Sequence, residues 1–177
     1  MVVIAISGKP GSGTSTIAKM VSERLEIDYF SPGQKFFKSS KEKDDTTEAL
    51  EFWKTEEGKN KWLHEKIDHY QRELAKKGNV VICGKLSIWV LKNLADLKVW
   101  LDCDFEERVR RSSKRDKISL EEARIKLKER EKMEEKEWKR MYGFDRDNQR
   151  EMADIVVDTT NKSVEKIVEG IMFNLHL

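Results

Sequence analysis

Apolar and polar positions alternate along the chain with two different periods. Residues 14–25 and 163–173 carry apolar side chains at helical spacing, so both segments are predicted to be helices that pack on a sheet. A weak strand is predicted around Tyr29 and Phe30. Four near-continuous apolar runs predict strands covered on both faces, and they lie at residues 2–6, 80–83, 97–101 and 155–157. This alternation predicts an α/β fold around a mainly parallel sheet.

One charged segment, residues 41–70, predicts a helical insertion without a core of its own. Its tryptophans, Trp53 and Trp62, either belong to the protein core or cover a bound base. Its histidines, His64 and His69, either face a bound ligand or lie on a helix surface without a role in binding. Their spacing of five does not place them on one helical face, which disfavours a metal pair.

A second charged segment begins at Ser119, where Ser119 and Glu122 form a capping-box pattern. It predicts a long, highly charged and peripheral helix that ends near residue 140. Periodicity leaves two alternatives open for both charged segments: solvated helices with ion pairs at i,i+4 spacing, or mobile elements that close over a ligand.

Composition narrows the possible partners. Of the 177 residues 38% are charged, yet 35 Lys and Arg against 33 Asp and Glu leave a formal net charge of +2, which argues against nucleic-acid binding. Cys83 and Cys103 form no CxxC motif, so we expect no zinc site or disulfide and a reducing cytoplasm. Because no basic leader and no apolar stretch of about 18 residues is present, we expect a soluble, cytoplasmic protein with no membrane partner.

A glycine-rich segment directly follows the first predicted strand. It matches the G-x-x-x-x-G-K-[ST] spacing of nucleotide-triphosphate loops. Glycines let successive backbone N–H groups point at one anion, and a helix N-terminus adds partial positive charge. The alternative is an ordinary strand-to-helix turn. We predict that the segment binds ATP and that Ser15 offers its hydroxyl to Mg²⁺; its residues are Gly8, Lys9, Pro10, Gly11, Ser12, Gly13, Thr14, Ser15 and Thr16.

One position of this loop breaks the motif. Thr14 stands where the motif has the lysine that reaches the β- and γ-phosphates. Lys9 is the nearest candidate to supply the missing charge. The alternative is that Lys9 is a surface side chain that points away from the phosphates.

Further blocks of sequence resemble the archaeal-type cytidylate kinases, which are small members of the P-loop nucleoside-monophosphate kinases. The resemblance covers nearly the whole chain, and this family commonly has threonine in place of the loop lysine. Beyond the loop, the blocks are SPGQKF at 31–36, IDHYQ at 67–71, AKKGNVV at 75–81, GKLSIW at 84–89, ADLKVWLD at 95–102, RVRR at 108–111, RE at 130–131, YGFD at 142–145 and ADIVVDT at 153–159.

The resemblance implies a three-layer P-loop kinase fold with a mainly parallel five-stranded sheet in one domain, residues 1–177. A monophosphate-binding helical insertion is expected at about residues 35–75 and a helical lid at about residues 108–145. The implied reaction transfers the ATP γ-phosphate to CMP or dCMP with Mg²⁺ and gives CDP or dCDP. A monomer is expected.

The resemblance also implies roles for single residues. Arg108, Arg111, Arg115 and Arg130 match arginines of the family, and each either contacts phosphate or pairs with a neighbouring acidic residue. The predicted catalytic residues are Lys9, Arg111, Arg115 and Arg130. The predicted acceptor-binding residues are Ser31, Gly33, Lys38, Asp68, Gly84 and Lys85.

The sequence departs from the family at four positions. Cys83 and Lys85 stand in the family's E-G-R or D-G-R block, Phe37 replaces an arginine and leaves Lys38 as the nearest base, and Glu137 replaces a lid arginine. Magnesium would then rest on Ser15, water and ATP oxygens, with Asp102 a distant helper. Two alternatives therefore stay open: a P-loop kinase for another nucleotide or small acceptor, and a nucleotide-binding protein with reduced turnover.

Overall fold

The computed structural model of the protein describes residues 1–36 and 44–175. Its strands form one sheet in which every pairing is parallel, with the order β2-β3-β1-β4-β5. The predicted α/β fold and the parallel five-stranded sheet are confirmed, including the weak strand at Tyr29 and Phe30. The strands are β1 (Val3–Gly8), β2 (Asp28–Phe30), β3 (Val80–Cys83), β4 (Leu97–Asp102) and β5 (Ile155–Asp158).

Helices cover the sheet and extend beyond its carboxyl edge. Ser119 accepts a hydrogen bond from the backbone N–H of Glu122, as the capping pattern predicts. Within the described residues, no helix is both long enough and apolar enough to cross a membrane. The helices are α1 (Thr14–Leu25), α2 (Pro32–Phe36), α3 (Asp45–Lys54), α4 (Lys61–Lys77), α5 (Ser87–Val90), α6 (Phe105–Asp116), α7 (Leu120–Tyr142), α8 (Gln149–Met152) and α9 (Val164–Phe173), with a 3₁₀ turn at Arg146–Asn148.

Alternate residues of the central strand face two different apolar cores. Ile4 of β1 packs in one core with Ile17 of α1 and with residues of α9. Ala5, its neighbour in β1, packs in the other core with Trp53 of α3 and Trp138 of α7. Successive side chains of a strand point to opposite faces, so a strand buried on both faces reads as a continuous apolar run. The sheet is therefore the middle of three layers.

The long helix α7 is not peripheral, and that prediction was wrong. Its first half packs on α6 through Leu127. Its second half buries one face, with Glu134 1% exposed and Trp138 6% exposed. Most residues of α7 are charged, and most of these lie on its outer faces. The sequence pattern therefore gives no sign of the one inner face, which carries a buried carboxylate and an aromatic ring.

The insertion contains a buried aromatic group that includes His64, whereas His69 is exposed. Trp53 and His64 stack with ring centroids 5.2 Å apart, and both rings meet Trp138 edge-on. His64 is 3% exposed, and its Nε2 lies 2.7 Å from the Gly58 carbonyl oxygen, so of the two alternatives for His64 the helix surface was wrong. Burial lowers the pKa of His64. Of the two tryptophans, Trp53 belongs to the core and Trp62 is 61% exposed.

Candidate active site

The predicted phosphate loop is a tight curl between β1 and α1. Gly11 and Gly13 adopt φ angles of 84° and 93°, a left-handed conformation that side chains other than glycine rarely take. A Cβ at Gly8 would lie 2.7 Å from the Leu101 carbonyl oxygen and 2.5 Å from Ser12 Oγ. Helix α1 begins at Thr14, directly after the curl, so its N-terminus points into the loop.

A cavity of about 630 Å³ opens in front of this loop. Its walls come from the loop, from α3 and α4, from the turn after β3, and from α6 and α7. Fourteen of the predicted site residues line it: Pro10, Gly11, Gly13, Thr14, Ser15, Thr16, Ser31, Gly33, Asp68, Gly84, Lys85, Arg111, Arg115 and Arg130. Gly8 and Ser12 form the underside of the loop, where Ser12 is 1% exposed. Lys38 and Phe37 lie outside the described residues.

Lys9 lies on the other side of the loop. It lines a second cavity, of about 390 Å³, together with Asp102 and Arg108. Its Nζ is 2.9 Å from Asp147 Oδ2 in the 3₁₀ turn. In this conformation the ammonium faces away from the main cavity, and a catalytic role for Lys9 stays a prediction.

Arg111 connects α6 to the rim of the phosphate loop. Its Nη1 donates to Thr159 Oγ1 at 3.1 Å and to the Ser12 carbonyl oxygen at 3.4 Å, and its Nε donates to Glu107 at 2.8 Å. A Cβ at Gly13 would lie 3.8 Å from Arg111 Nη1. The guanidinium therefore sits beside the anion-binding part of the loop, held by neutral oxygens and one carboxylate.

Arg115 and Arg130 approach the cavity from α6 and α7. Arg115 Nε donates to Asp116 at 2.6 Å, and its Nη2 donates to Thr46 Oγ1 at 2.8 Å in the first turn of α3. Arg130 Nε donates to Glu134 Oε1 at 2.8 Å. Both arginines line the cavity and also pair with acidic neighbours, so the two alternatives raised by the sequence coexist in one arrangement.

Arg108, by contrast, supports the loop from behind. It is 4% exposed, donates to the Pro10 carbonyl oxygen at 3.1 Å and pairs with Glu131. Gly11 packs against it, because a Cβ there would lie 3.0 Å from Arg108 Cβ. The contacts of Arg108 therefore shape the loop.

A buried charge cluster joins α7 to the turn after β3. Glu134 pairs with Arg130 and with Arg146, whose Nη1 lies 3.3 Å from Glu134 Oε2. Burial alone would raise the pKa of Glu134, but the cations of Arg130, Lys85 and Arg146 lower it below its usual value. Desolvation lowers the pKa of Lys85 to about 7, although the Glu134 carboxylate opposes that shift. Sequence reasoning missed Glu134 and Arg146; only the i,i+4 spacing of Arg130 and Glu134 hinted at the pair.

Gln149 is a second residue that sequence reasoning missed. It is fully buried, accepts from the backbone N–H of Trp89 at 3.1 Å, and donates to the carbonyl oxygens of Lys85 at 2.8 Å and Arg146 at 3.1 Å. These bonds fix the Gly84–Lys85 turn against the 3₁₀ turn. No local pattern marks Gln149, because its partners are distant in the chain.

The far end of the main cavity is walled by aromatic rings and by Asp68. Asp68 is 7% exposed and accepts hydrogen bonds from Tyr142 Oη at 2.6 Å and from Gln71 Nε2 at 3.3 Å. Desolvation raises the pKa of Asp68 to about 6. Trp53 and Trp138 line the same end.

The side chains near the loop fit a metal ion whose ligands are mostly water molecules and phosphate oxygens. Ser15 lines the main cavity, and its Oγ is 4.0 Å from Cys83 Sγ. Burial raises the pKa of the Cys83 thiol, which keeps that group protonated and a poor metal ligand. Asp102 accepts from Trp100 Nε1 at 2.6 Å and from Arg150 Nε at 2.9 Å. Across residues 1–36 and 44–175, no three His, Cys, Asp or Glu side chains converge on a metal site. One hydroxyl ligand matches the way Mg²⁺ binds with substrate phosphates.

Comparison with solved structures concerns the fold. A shikimate kinase from Acinetobacter baumannii in complex with shikimate superimposes with a TM-score of 0.63 at 16% identity, over 97% of this chain and 91% of that chain. A shikimate kinase from Aquifex aeolicus gives a TM-score of 0.57 at 22% identity, over 98% and 96% of the two chains. These similarities support the α/β fold with a central parallel sheet.

Comparison of sequences is more specific. The chain is 39% identical to a cytidylate kinase of Pyrococcus horikoshii over 93% of this chain and 83% of the relative. It is 39% identical to that of Methanocaldococcus jannaschii over 93% and 92% of the two chains, and 38% identical to that of Archaeoglobus fulgidus over 96% and 92%. The sequence model of the cytidylate kinase-like family matches residues 3–161. The chain therefore belongs to the cytidylate kinase-like family.

Proposed function

We propose that the protein transfers the γ-phosphoryl group of ATP to the 5′-phosphate of CMP or dCMP. An acceptor phosphate oxygen forms a bond to the γ-phosphorus, the bond from that phosphorus to the β–γ bridging oxygen breaks, and ADP leaves with the bonding electron pair. The observation that carries the proposal is the opening of the glycine loop onto the same cavity as Arg111, Arg115, Arg130 and Lys85. Phosphoryl transfer needs positioning and charge neutralisation more than covalent help, and these residues supply both.

The loop and α1 hold the ATP phosphates in this proposal. The left-handed glycines turn backbone N–H groups toward one point, and the α1 N-terminus adds partial positive charge there. Arg111 at the rim supplies a full charge close to Gly13. It takes over part of the task that the loop lysine performs where position 14 is lysine.

Ser15 would hold a magnesium ion on the ATP side of the cavity. Mg²⁺ bound to the ATP phosphates would take the Ser15 hydroxyl as its protein ligand, and it would neutralise charge on the transferred group. The cationic side chains of the protein would neutralise the rest of the negative charge on the phosphates.

Three further cations neutralise the negative charge on the phosphoryl group as it moves from donor to acceptor: Arg115, Arg130 and Lys85. They reach the cavity from α6, α7 and the turn after β3. The Lys85 ammonium is destabilised by burial when the cavity holds no anion. Phosphate oxygens beside it would restore its proton, so substrate binding itself strengthens the cationic site.

The acceptor occupies the other half of the cavity. Its phosphate lies near Ser31, Gly33 and Lys85. Lys38, which lies outside the described residues, stays a predicted acceptor-binding residue. The base of the acceptor lies against the aromatic rings of Trp53 in α3 and Trp138 in α7, which pack edge to face with centroids 4.7 Å apart and offer an apolar wall to a pyrimidine.

The test is an ADP-release assay with MgATP against CMP, dCMP, UMP, AMP and GMP, with ATP alone as the blank. Turnover is expected to be highest with CMP or dCMP. Arg111→Lys keeps the charge but loses the planar fork, so its turnover should fall by roughly tenfold or more. Thermal unfolding of the variant checks that its fold is intact. Tight ATP binding without ADP release on any acceptor would contradict the proposal and favour a nucleotide-binding protein.

We also propose that the protein acts as a monomer in the cytoplasm. Both cysteines are free, and a reducing compartment would keep them so. Light scattering with and without substrates tests the oligomeric state, and a dimer at micromolar concentration would contradict it.

A further inference from the structure

We infer that Thr46 is a positioning residue for phosphoryl transfer: from the first turn of α3, its hydroxyl fixes the guanidinium of Arg115 in the orientation that meets the transferred phosphoryl group. This inference rests on the proposed function, because Arg115 is one of the cations assigned there to that group. Thr46 is not among the described residues that line the main cavity, so it acts through Arg115.

Arg115 has one partner on its own helix. Asp116 is the last residue of α6, and its side chain is 1% exposed. Its Oδ1 accepts from Arg115 Nε at 2.6 Å, and its Oδ2 accepts from Arg115 Nη2 at 2.8 Å. The helix dipole disfavours a carboxylate at the C-terminal end of a helix. The Asp116 carboxylate therefore depends on the hydrogen-bond donors around it.

Thr46 supplies a further donor from a different element. Its Oγ1 donates to Asp116 Oδ2 at 2.6 Å and accepts from Arg115 Nη2 at 2.8 Å, and the residue is 1% exposed. The hydroxyl thus closes a triangle of three hydrogen bonds. Neighbouring residues of a helix do not face each other, so the pair of Arg115 with Asp116 does not by itself fix the direction of the guanidinium. The contact with α3 fixes it.

Helix α3 is a firm support for this contact. Asp44 caps its first turn by accepting from the backbone N–H of Thr47 at 2.8 Å, and the same carboxylate accepts from Lys126 of α7 at 3.3 Å. Near the other end of α3, Trp53 is buried and meets Trp138 of α7 edge-on, with ring centroids 4.7 Å apart. Both ends of α3 are therefore held against α7.

The triangle leaves one part of Arg115 open to a ligand. Nε and Nη2 are bonded, whereas Nη1 makes no hydrogen bond to any described residue. Arg115 lines the main cavity, as does Arg111 one turn earlier on α6. A phosphate oxygen that binds Nη1 is then met by a cation whose position is already set. Small errors in the position of a catalytic group cost much of the rate, so this preorganisation matters for the chemical step.

The test measures kcat and KM for MgATP and CMP in the wild type, Thr46→Val and Thr46→Ser. Valine has nearly the same shape but makes no hydrogen bond, so kcat should fall roughly tenfold while both KM values change by less than about twofold. Serine keeps the hydroxyl and should restore most of the wild-type kcat. A role limited to holding α3 in place would instead raise KM for CMP, because α3 walls the acceptor half of the cavity.

Thr47→Val is the matched control in the same turn of α3. Thr47 Oγ1 donates to Asp44 Oδ2 at 2.6 Å and makes no hydrogen bond to Arg115. Its kcat should stay within about twofold of the wild type. Thr46→Ala is the second variant if valine beside the Asp116 carboxylate prevents folding, since alanine is the best helix former. The same loss of kcat is expected from it.

A second measurement needs no turnover. NMR spectra resolve the Nη hydrogens of an arginine when hydrogen bonds slow the rotation of its guanidinium. Those of Arg115, assigned by their absence in Arg115→Lys, should give separate signals in the wild type and in Thr47→Val. In Thr46→Val and Thr46→Ala they should average.

The outcomes separate the inference from the proposed function. A wild-type kcat in Thr46→Val or Thr46→Ala, or an equal loss of kcat in Thr46→Val and Thr47→Val, would overturn the inference and leave the function intact. A raised KM for CMP with unchanged kcat would do the same. If the wild type turns over no acceptor, the proposed function fails, and the Arg115 signals still decide whether Thr46 holds that guanidinium. Identical signals in all of these proteins would then overturn both.

Discussion

The two halves of the main cavity are built in different ways. The phosphate loop is contiguous in sequence, and its shape rests on glycine dihedral angles and one helix N-terminus. The opposite half is assembled from α3, α4, α7 and the turn after β3, and its shape rests on buried polar side chains such as Glu134 and Asp68. A backbone-built site tolerates changes in neighbouring side chains, whereas a side-chain-built site depends on every partner in its network.

The first prediction tests the half of the cavity that depends on buried side chains, by neutralising Glu134. Glu134→Gln leaves Arg130, Arg146 and Lys85 without their shared carboxylate. Removal of one partner from a buried ion-pair network costs about 3–5 kcal/mol, so the free energy of unfolding should fall by that amount. Urea unfolding measures it.

Glu135→Gln is the matched control, one residue along α7. Glu135 is exposed, and its substitution should change the stability by less than about 0.5 kcal/mol. Similar losses in both variants would show that the buried network contributes nothing special.

The second prediction tests the phosphate loop, the half of the cavity that is built from backbone. Gly8→Ala puts a Cβ 2.7 Å from the Leu101 carbonyl oxygen, which cannot rotate away. We expect a loss of about 1–3 kcal/mol in stability and a large loss of ATP affinity, because the curl must open. Calorimetric titration with MgATP measures the affinity.

Gly170→Ala in α9 serves as its control. A Cβ there meets nothing within 4 Å, so the helix should gain about 0.5–1 kcal/mol and ATP binding should not change. Normal ATP affinity in Gly8→Ala would contradict the idea that the tight curl is essential.

The same contrast explains what the sequence alone predicts. Helix α1 spans Thr14–Leu25, as its apolar spacing indicates. The bounds of a helix and the shape of the glycine loop depend on residues close together in the chain, so the sequence predicts both. The hydrogen bond from Tyr142 to Asp68 and the pair of Lys9 with Asp147 join residues far apart in the chain. Such pairs form only when the sheet has assembled, and no spacing rule marks them.

The third prediction uses pH to probe Lys85. Its pKa falls from 10.5 to about 7 in the folded protein. Between these values the unfolded chain holds a proton that the folded chain has lost, so stability should rise with pH in that window. Urea unfolding at several pH values from 7 to 10 should show a steeper rise in the wild type than in Lys85→Met. Equal slopes would mean that the Lys85 ammonium is well solvated.

The smallest expected effect concerns Trp62, which the sequence places either in the core or over a bound base. In the structure its indole is 61% exposed, and Lys66 Nζ lies 3.5 Å from the ring centroid. Trp62→Ala should therefore lower stability by at most about 1 kcal/mol, the strength of an exposed cation–π pair, and should leave KM for CMP unchanged. Trp53→Ala is the contrasting variant, because Trp53 is buried, lines the cavity and packs against Trp138. It should cost about 3–5 kcal/mol and raise KM for CMP. A raised KM in Trp62→Ala alone would mean that this indole closes over the base when the acceptor binds.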